Sequence, residues 1–256
     1  MSEQGVAFIV GTAGSGKTVL TAVLRRYLED RDANVIVVNL DPAVQRIPYT
    51  CEVDVREYVD IQDIIDKYEL GPNGAMITAS DLIASEISTI KEDIDDYRAD
   101  ITLIDTPGQL EVFVYRSSGP IIVREFVEDK PCACVFLMDS NLVRNASSFI
   151  SLNFLAVSTQ FRLALPMVYA LTKTDLIDEE DLEKLERWAE DIDIAFSDIT
   201  SAESPLRALT MSLADAIRDV QAHVPLIPIS SLKETGLEDL SGALSRALAR
   251  GDDWTI

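Results

Sequence analysis

The stretch that most limits what this chain can become is Gly11-Thr12-Ala13-Gly14-Ser15-Gly16-Lys17-Thr18, which fits G-x-x-x-x-G-K-[ST]. Its flanks suit the motif. Residues 6–10 form a short apolar run of strand type. Beyond Thr18, the residues Leu20, Val23, Leu24, Tyr27 and Leu28 recur at the 3.6-residue period of a helix with one apolar face. A strand, a glycine-rich turn and a helix in that order let successive backbone N–H groups and the helix N-terminus converge on phosphate. Lys17 then reaches the β- and γ-phosphates, and the Thr18 hydroxyl is placed to ligate Mg2+.

The rest of the chain alternates in the same way. Strand-like runs at 6–10, 35–40, 101–104, 134–138, 167–171 and 226–229 are separated by helical patterns. After the first helix, which reaches about residue 28, further helices are expected at about 55–69, 75–96, 121–129, 142–163, 179–195, 205–221 and 236–249. This order predicts an α/β fold of the P-loop NTPase type, with a doubly wound, parallel, six-stranded sheet covered by helices on both faces. With 256 residues and no linker-like tract, a single domain over 1–256 is expected. The long stretches at about 44–98 and 178–222 are expected to be helical insertions on it.

Charge and rare residues exclude whole classes of function. Forty-four acidic against 22 basic side chains give a net charge of −22, which repels nucleic acid and anionic membranes. The same charge fits either a saline cytoplasm or simple solubility, and it predicts that self-association strengthens as salt screens repulsion. One histidine, His223, and three cysteines, Cys51, Cys132 and Cys134, leave almost no material for a Ser-His-Asp triad or a His-rich metal centre. They favour a reducing compartment. The first residues lack the basic region of a signal peptide, and no apolar run approaches the ~18 residues of a membrane span. A cytoplasmic protein is expected.

Two further clusters extend the phosphate motif. Asp105-Thr106-Pro107-Gly108-Gln109 closes the third strand run. A carboxylate at that strand end faces the phosphate loop and can hold Mg2+, a Gly108 N–H unshielded by a side chain can sense a γ-phosphate, and the Gln109 amide can orient an attacking water. Asp41, in Asp-Pro after the second strand, is the third candidate beside the metal or the water, although Asp-Pro is also an ordinary turn. At the other end, Leu171-Thr172-Lys173-Thr174-Asp175 follows the fifth strand and Ser230-Ser231-Leu232 the sixth. The Asp175 carboxylate can accept from N1–H and the 2-amino group of guanine, donors that adenine lacks. The Lys173 stem can lie along the base, and the Ser230-Ser231 turn can offer N–H groups to O6. The combination favours GTP over ATP. The nucleotide-binding set is Ala13, Gly14, Ser15, Gly16, Lys17, Thr18 and Val19 with Thr172, Lys173, Asp175, Ser230 and Ser231. The catalytic candidates are Gln109, Asp41, Asp105 and Asn73, and the metal candidates Thr18, Asp41 and Asp105.

With these positions located, Gly71-Pro72-Asn73 between the second and third strand runs gains meaning. Together with DTPGQLE at 105–111, Asp41-Pro42-Ala43, Thr172–Asp175 and the Ser230-Ser231 loop, it resembles the GPN-loop GTPases across essentially the whole chain. The resemblance implies GTP hydrolysis with Mg2+ and a homodimer formed through the GPN-loop face. In it, Asn73 of one subunit would approach the γ-phosphate and water held by the other. It also implies a nucleotide-controlled switch or assembly chaperone for a protein client, since eukaryotic relatives are linked to RNA polymerase assembly; no direct nucleic-acid or membrane partner is expected. Two departures stand out. Thr172 replaces the usual Asn, losing an amide that braces the base loop, and Ser231 replaces Ala. Roles that depend on the long C-terminal extension of some eukaryotic relatives are not expected to carry over to this sequence.

Read from residues alone, Gly-Pro-Asn is punctuation: Gly71 stops a helix ending near Leu70, and Asn73 or Gly74 starts the next. Cys132-Ala-Cys134 leads into an apolar run and reads as a buried strand rather than a metal hand-off site. Glu92–Asp96 reads as a solvated helix end, and the broadly apolar 142–163 helix as core with part of a dimer contact. Two functional alternatives remain open. One is a P-loop kinase for a small molecule with Asp41 as base, for which residues 44–70 offer only Arg46 and Arg56. The other is a module that holds GTP without turnover.

Overall fold

The computed structural model describes residues 4–200 and 225–249. Seven parallel strands form one sheet in the order β3-β2-β4-β1-β5-β6-β7. They are β1 (Gly5–Gly11), β2 (Val35–Asn39), β3 (Val53–Asp54), β4 (Ile101–Asp105), β5 (Cys132–Asp139), β6 (Met167–Thr172) and β7 (Leu226–Pro228). Six coincide with the expected runs. The seventh, β3, is a two-residue edge strand on β2.

The strands are almost wholly apolar because both faces of a parallel sheet are covered. Side chains of β1 alternate between two cores. Val6, Phe8 and Val10 face one, with Phe113, Phe126, Phe136 and Phe149. Ala7 and Ile9 face the other, with Leu20 and Leu24 of α1 (Lys17–Glu29) and Leu240 and Leu244 of the last helix among the described residues, α10 (Leu237–Ala249).

The first core is closed by the helices between β3 and β4, those between β4 and β6, and those between β6 and β7 among the described residues. They are α2 (Ile61–Tyr68), α3 (Pro72–Ser85), α4 (Ile87–Asp95), the one-turn α5 (Leu110–Phe113), α6 (Ser118–Val127), α7 (Ala146–Leu163), α8 (Glu179–Glu190) and α9 (Ile192–Thr200). The helix expected over 75–96 is therefore two helices that meet at Glu86, and that over 179–195 is two that meet at Asp191. In α7, Phe149, Ile150, Leu152 and Ala156 are buried, whereas Phe161 is 76% exposed. The helix expected at 205–221, and His223, lie outside the described residues.

Gly-Pro-Asn acts as punctuation by different residues from those expected. Helix α2 stops at Glu69, which takes the left-handed conformation (φ 51°) that Gly71 was expected to supply. Gly71 is instead extended and forms the N-cap of α3, and Pro72 opens the helix. Proline suits that first position, where its missing N–H costs no helical hydrogen bond.

Candidate functional site

The loops after β1, β2 and β4 meet at the C-terminal edge of the sheet, where ligands of open α/β sheets bind. Two glycines shape the phosphate loop. A Cβ on Gly11 would stand 2.7 Å from Ser15 Oγ and 2.9 Å from the Leu137 carbonyl, so only glycine lets the loop turn this close to β5. Gly16 precedes α1 at φ 95°, a conformation that side chains disfavour. Lys17 opens the helix and is 5% exposed. Its ammonium donates to the carbonyls of Gly11 at 2.9 Å and Thr12 at 3.0 Å, with Gly108 O at 3.5 Å. Burial lowers its pKa, against the pull of Asp105 and Asp41.

Asp105 ends β4 and is 2% exposed. Tyr49 Oη donates to its Oδ2 at 2.8 Å, while Oδ1 is buried without a hydrogen-bond partner. Burial raises the Asp105 pKa despite Tyr49, Thr18 and Lys17, which all favour the ionised form. An unsatisfied buried carboxylate oxygen close to a threonine hydroxyl is the chemistry a hard divalent cation seeks. Among the described residues no group of three His, Cys, Asp or Glu gathers as a metal site. The donor set nevertheless fits Mg2+, which Thr18 and Asp105 would hold.

Asp41 lies across from this carboxylate. Its Oδ1 accepts from Ala43 N–H at 3.0 Å and its Oδ2 from Gly108 N–H at 3.1 Å. The Gly108 amide, expected to face phosphate, is thus directed at Asp41. Asp41 is itself fixed by Asn39, whose side chain accepts from Asp41 N–H at 3.0 Å and donates to Asp41 O at 3.2 Å. Asn39 also donates to Asp54 Oδ1 at 3.0 Å. Burial pushes Asp54 up, but Arg56 and Asn39 outweigh it and hold the carboxyl below its usual range. Arg56 additionally donates to Val44 O at 3.0 Å. Gln109 is exposed at the N-cap of α5, and its side chain caps nothing.

At the base end, Thr172 is buried and its hydroxyl donates to Ser15 O of the phosphate loop at 2.8 Å and to Met138 O at 3.2 Å. The brace expected to be lost with the usual Asn is therefore made by a hydroxyl. Lys173 sits at φ 60° and pairs with Asp139 Oδ2 at 2.7 Å, while Ser140 Oγ donates to its carbonyl at 3.0 Å. Ser230 Oγ donates to Asp175 Oδ1 at 2.5 Å. Ser230 N–H is spent on Thr235 O at 3.1 Å, so amide contacts to a base would fall to later residues of that turn, beginning with Ser231. Ala13 and Gly14 are exposed on the phosphate loop, and Val19, in the first turn of α1, is 51% exposed.

Gly71, Pro72 and Asn73 are all exposed. Among the described residues the structure shows no side-chain hydrogen bond for Asn73, whereas Asp41 and Asp105 are joined to the loops around Lys17. Helix α3, whose second residue is Asn73, packs on α5 directly after Gln109.

Sequence reasoning missed Tyr49, Asn39, Asp54, Asp139 and the brace role of Arg56. Asn39 and Asp139 each interrupt an apolar strand at its last residue, the same signal that marked Asp105. Tyr49 gives none, because its partner is 56 positions away. Cys132 and Cys134 are buried in β5, and burial raises both thiols, Cys132 to about 12.

Fold and site together define a nucleoside-triphosphate-binding α/β protein of the P-loop class. A family model described as "Conserved hypothetical ATP binding protein" matches residues 9–250. The GPN-loop GTPase PAB0955 of Pyrococcus abyssi is 33% identical, with 92% of this chain and 94% of that protein covered. The crystal structure of PAB0955, described as a GTPase in apo form, superposes with a TM-score of 0.85 at 32% identity over 96% of this chain and 98% of that one. GPN-loop GTPase QQT2 of Arabidopsis thaliana is 32% identical over 92% of this chain, and GPN-loop GTPase 1 of Dictyostelium discoideum 29% over 90%. The chain spans 62% and 58% of the length of those two relatives. It belongs to the GPN-loop GTPase family. Among the described residues no helix is long and apolar enough to cross a membrane.

Proposed function

We propose that the chain is a Mg2+-dependent GTP hydrolase that acts as a homodimer, cycling with bound GTP and GDP as a switch or assembly factor for a protein client. The observation that carries this reading is the bond from Thr172 to Ser15 O. It ties the base-reading loop to the phosphate loop, so one nucleoside triphosphate spans Lys17 and Asp175. Ser230 holds Asp175 by one oxygen, which orients the carboxylate to accept from N1–H and the 2-amino group of guanine. Adenine offers neither donor, so the guanine reading is preferred over the ATP in the family model's description.

Bound Mg2+ would neutralise charge between the β- and γ-phosphates, with Thr18 and Asp105 as its protein ligands. Lys17 leaves its loop carbonyls for the phosphate oxygens and stabilises charge there. Asp41 lies within hydrogen-bond reach of Gly108 N–H and thus beside Gln109. The two residues align the attacking water, with Asp41 exchanging the Gly108 amide for a water proton. Asn73 comes from the second subunit, which accounts for its exposure in one chain. The kinase alternative is disfavoured because Arg56, one of two arginines available for a lid, is committed to Asp54 and Val44 O. Client identity is open to proteins of the transcription machinery, among others.

Phosphate release from GTP and ATP, each with Mg2+ and with EDTA, tests the reading. Release from GTP alone, dependent on Mg2+ and needing no acceptor, is expected. Equal release from ATP, or release only with an added acceptor, contradicts it.

A further inference from the structure

We propose that Tyr49 is a positioning residue that sets which oxygen of Asp105 faces the metal; the proposal rests on the Mg2+–GTP reading above. The Tyr49 hydroxyl donates to Asp105 Oδ2 at 2.8 Å. The second oxygen, Oδ1, is left buried without a partner. A carboxylate on a single-bond axis can exchange its two oxygens by rotation. A donor fixed on one of them removes that freedom and presents the other. Outer partners of this kind orient metal ligands, and their loss weakens metal binding or activity by about 10–100-fold.

The phenol is held from behind, which separates it from a chance contact of a loop tip. Arg25 of α1 donates to Thr50 O at 2.5 Å, next to Tyr49 in the chain, and to Glu52 Oε1 and Oε2 at 2.7 and 3.1 Å. Glu52 accepts from Val37 N–H at 2.8 Å through Oε2 and donates its own N–H to Val37 O at 3.1 Å. The segment carrying Tyr49 is thereby fastened both to β2 and to the helix that begins at Lys17. The Tyr49 ring packs against the core shared by α1 and the sheet. One connected set of contacts thus runs from α1 through Arg25 and residues 49–52 to Asp105, and it fixes the carboxylate relative to Thr18 on the same helix.

The test uses the full chain with Tyr49→Phe, Asp105→Ala and the double variant. Affinity for a fluorescent GDP analogue is measured in EDTA, and Mn2+ affinity of the GDP complex by the electron paramagnetic resonance of free Mn2+. Tyr49→Phe is expected to weaken Mn2+ about ten-fold while leaving nucleotide affinity in EDTA unchanged. In the Asp105→Ala background the same substitution is expected to add nothing, since coupled residues are not additive. Mn2+ affinity within about two-fold of wild type overturns the role, as does an equal loss in both backgrounds. A wild-type chain that holds no guanine nucleotide with or without Mn2+ overturns the Mg2+–GTP reading itself and is distinguishable from either.

Discussion

Asp41 Oδ2 accepts the backbone N–H of Gly108 at 3.1 Å, which joins the loop after β2 to the loop after β4 directly beside the phosphate motif. Each partner is independently placed. Asn39 and Ala43 fix Asp41, and Gly108 follows the buried Asp105–Thr106 strand end, where Thr106 Oγ1 donates to Ile9 O at 2.7 Å. On the function proposed above, a γ-phosphate competing for the Gly108 amide would free the Asp41 carboxylate to accept from water, so that one group would both sense the nucleotide and act on the nucleophile.

Replacing Asp41 by Ala is therefore expected to reduce GTP turnover by about 10²-fold or more, the usual contribution of a positioned base. GTP affinity should change little, because the phosphate and base contacts stay intact. Single-turnover phosphate release alongside equilibrium binding separates the two effects. A large loss of affinity with unchanged single-turnover rate would assign Asp41 to binding.

Thr172→Val removes one hydroxyl and keeps the shape. The hydroxyl bridges Ser15 O and Met138 O, and a net hydrogen bond is worth about 1 kcal/mol, equivalent to about five-fold in an equilibrium constant. Release of a fluorescent GDP analogue, followed by stopped flow, should accelerate by about that factor. Thr172→Asn should restore slow release by supplying an amide donor.

Asp105 gives a pH signature. Burial raises its pKa in the folded chain above the 3.8 of a free side chain. Below pH 3.8 both folded and unfolded chains carry the proton; between the two values only the folded chain does. The stability that this group contributes is therefore fully present below the unfolded value and lost as pH rises through the folded one. Asp105→Asn should melt above wild type at pH 7 in the absence of Mg2+ and nucleotide, with the gap closing toward pH 4, as followed by scanning calorimetry. The same variant should weaken divalent binding.

The long strands were legible because a parallel sheet buried on both faces demands continuous apolar runs, and the phosphate loop because its spacing leaves little else to build. Other features carry no such mark. Strand β3 is two residues long. The break at Glu86 is hidden because Ile83, Ile87, Ile90 and Ile94 continue one helical stripe across it, all buried. Helix α2 ends at Tyr68 and is capped by Glu69 in a conformation usually given to glycine, so the end expected at about residue 69 fell one residue late. Candidate residues on strand ends could be placed by motif. Their supports, Tyr49, Asn39 and Arg25, reach them from distant positions through single hydrogen bonds, which no periodicity records.

The central claim, that each site is completed by the GPN loop of a second copy, is tested most directly by mixing two inactive variants. Lys17→Ala removes the phosphate contact but keeps Asn73, and Asn73→Ala keeps the phosphate site but lacks the amide. Each alone should be nearly inactive in GTP hydrolysis. After equimolar mixing, random pairing makes half of the dimers mixed, each with one complete site, so activity should recover to about a quarter of wild type. A mixture no more active than the sum of its parts, at concentrations where sedimentation shows mixed dimers, would contradict it.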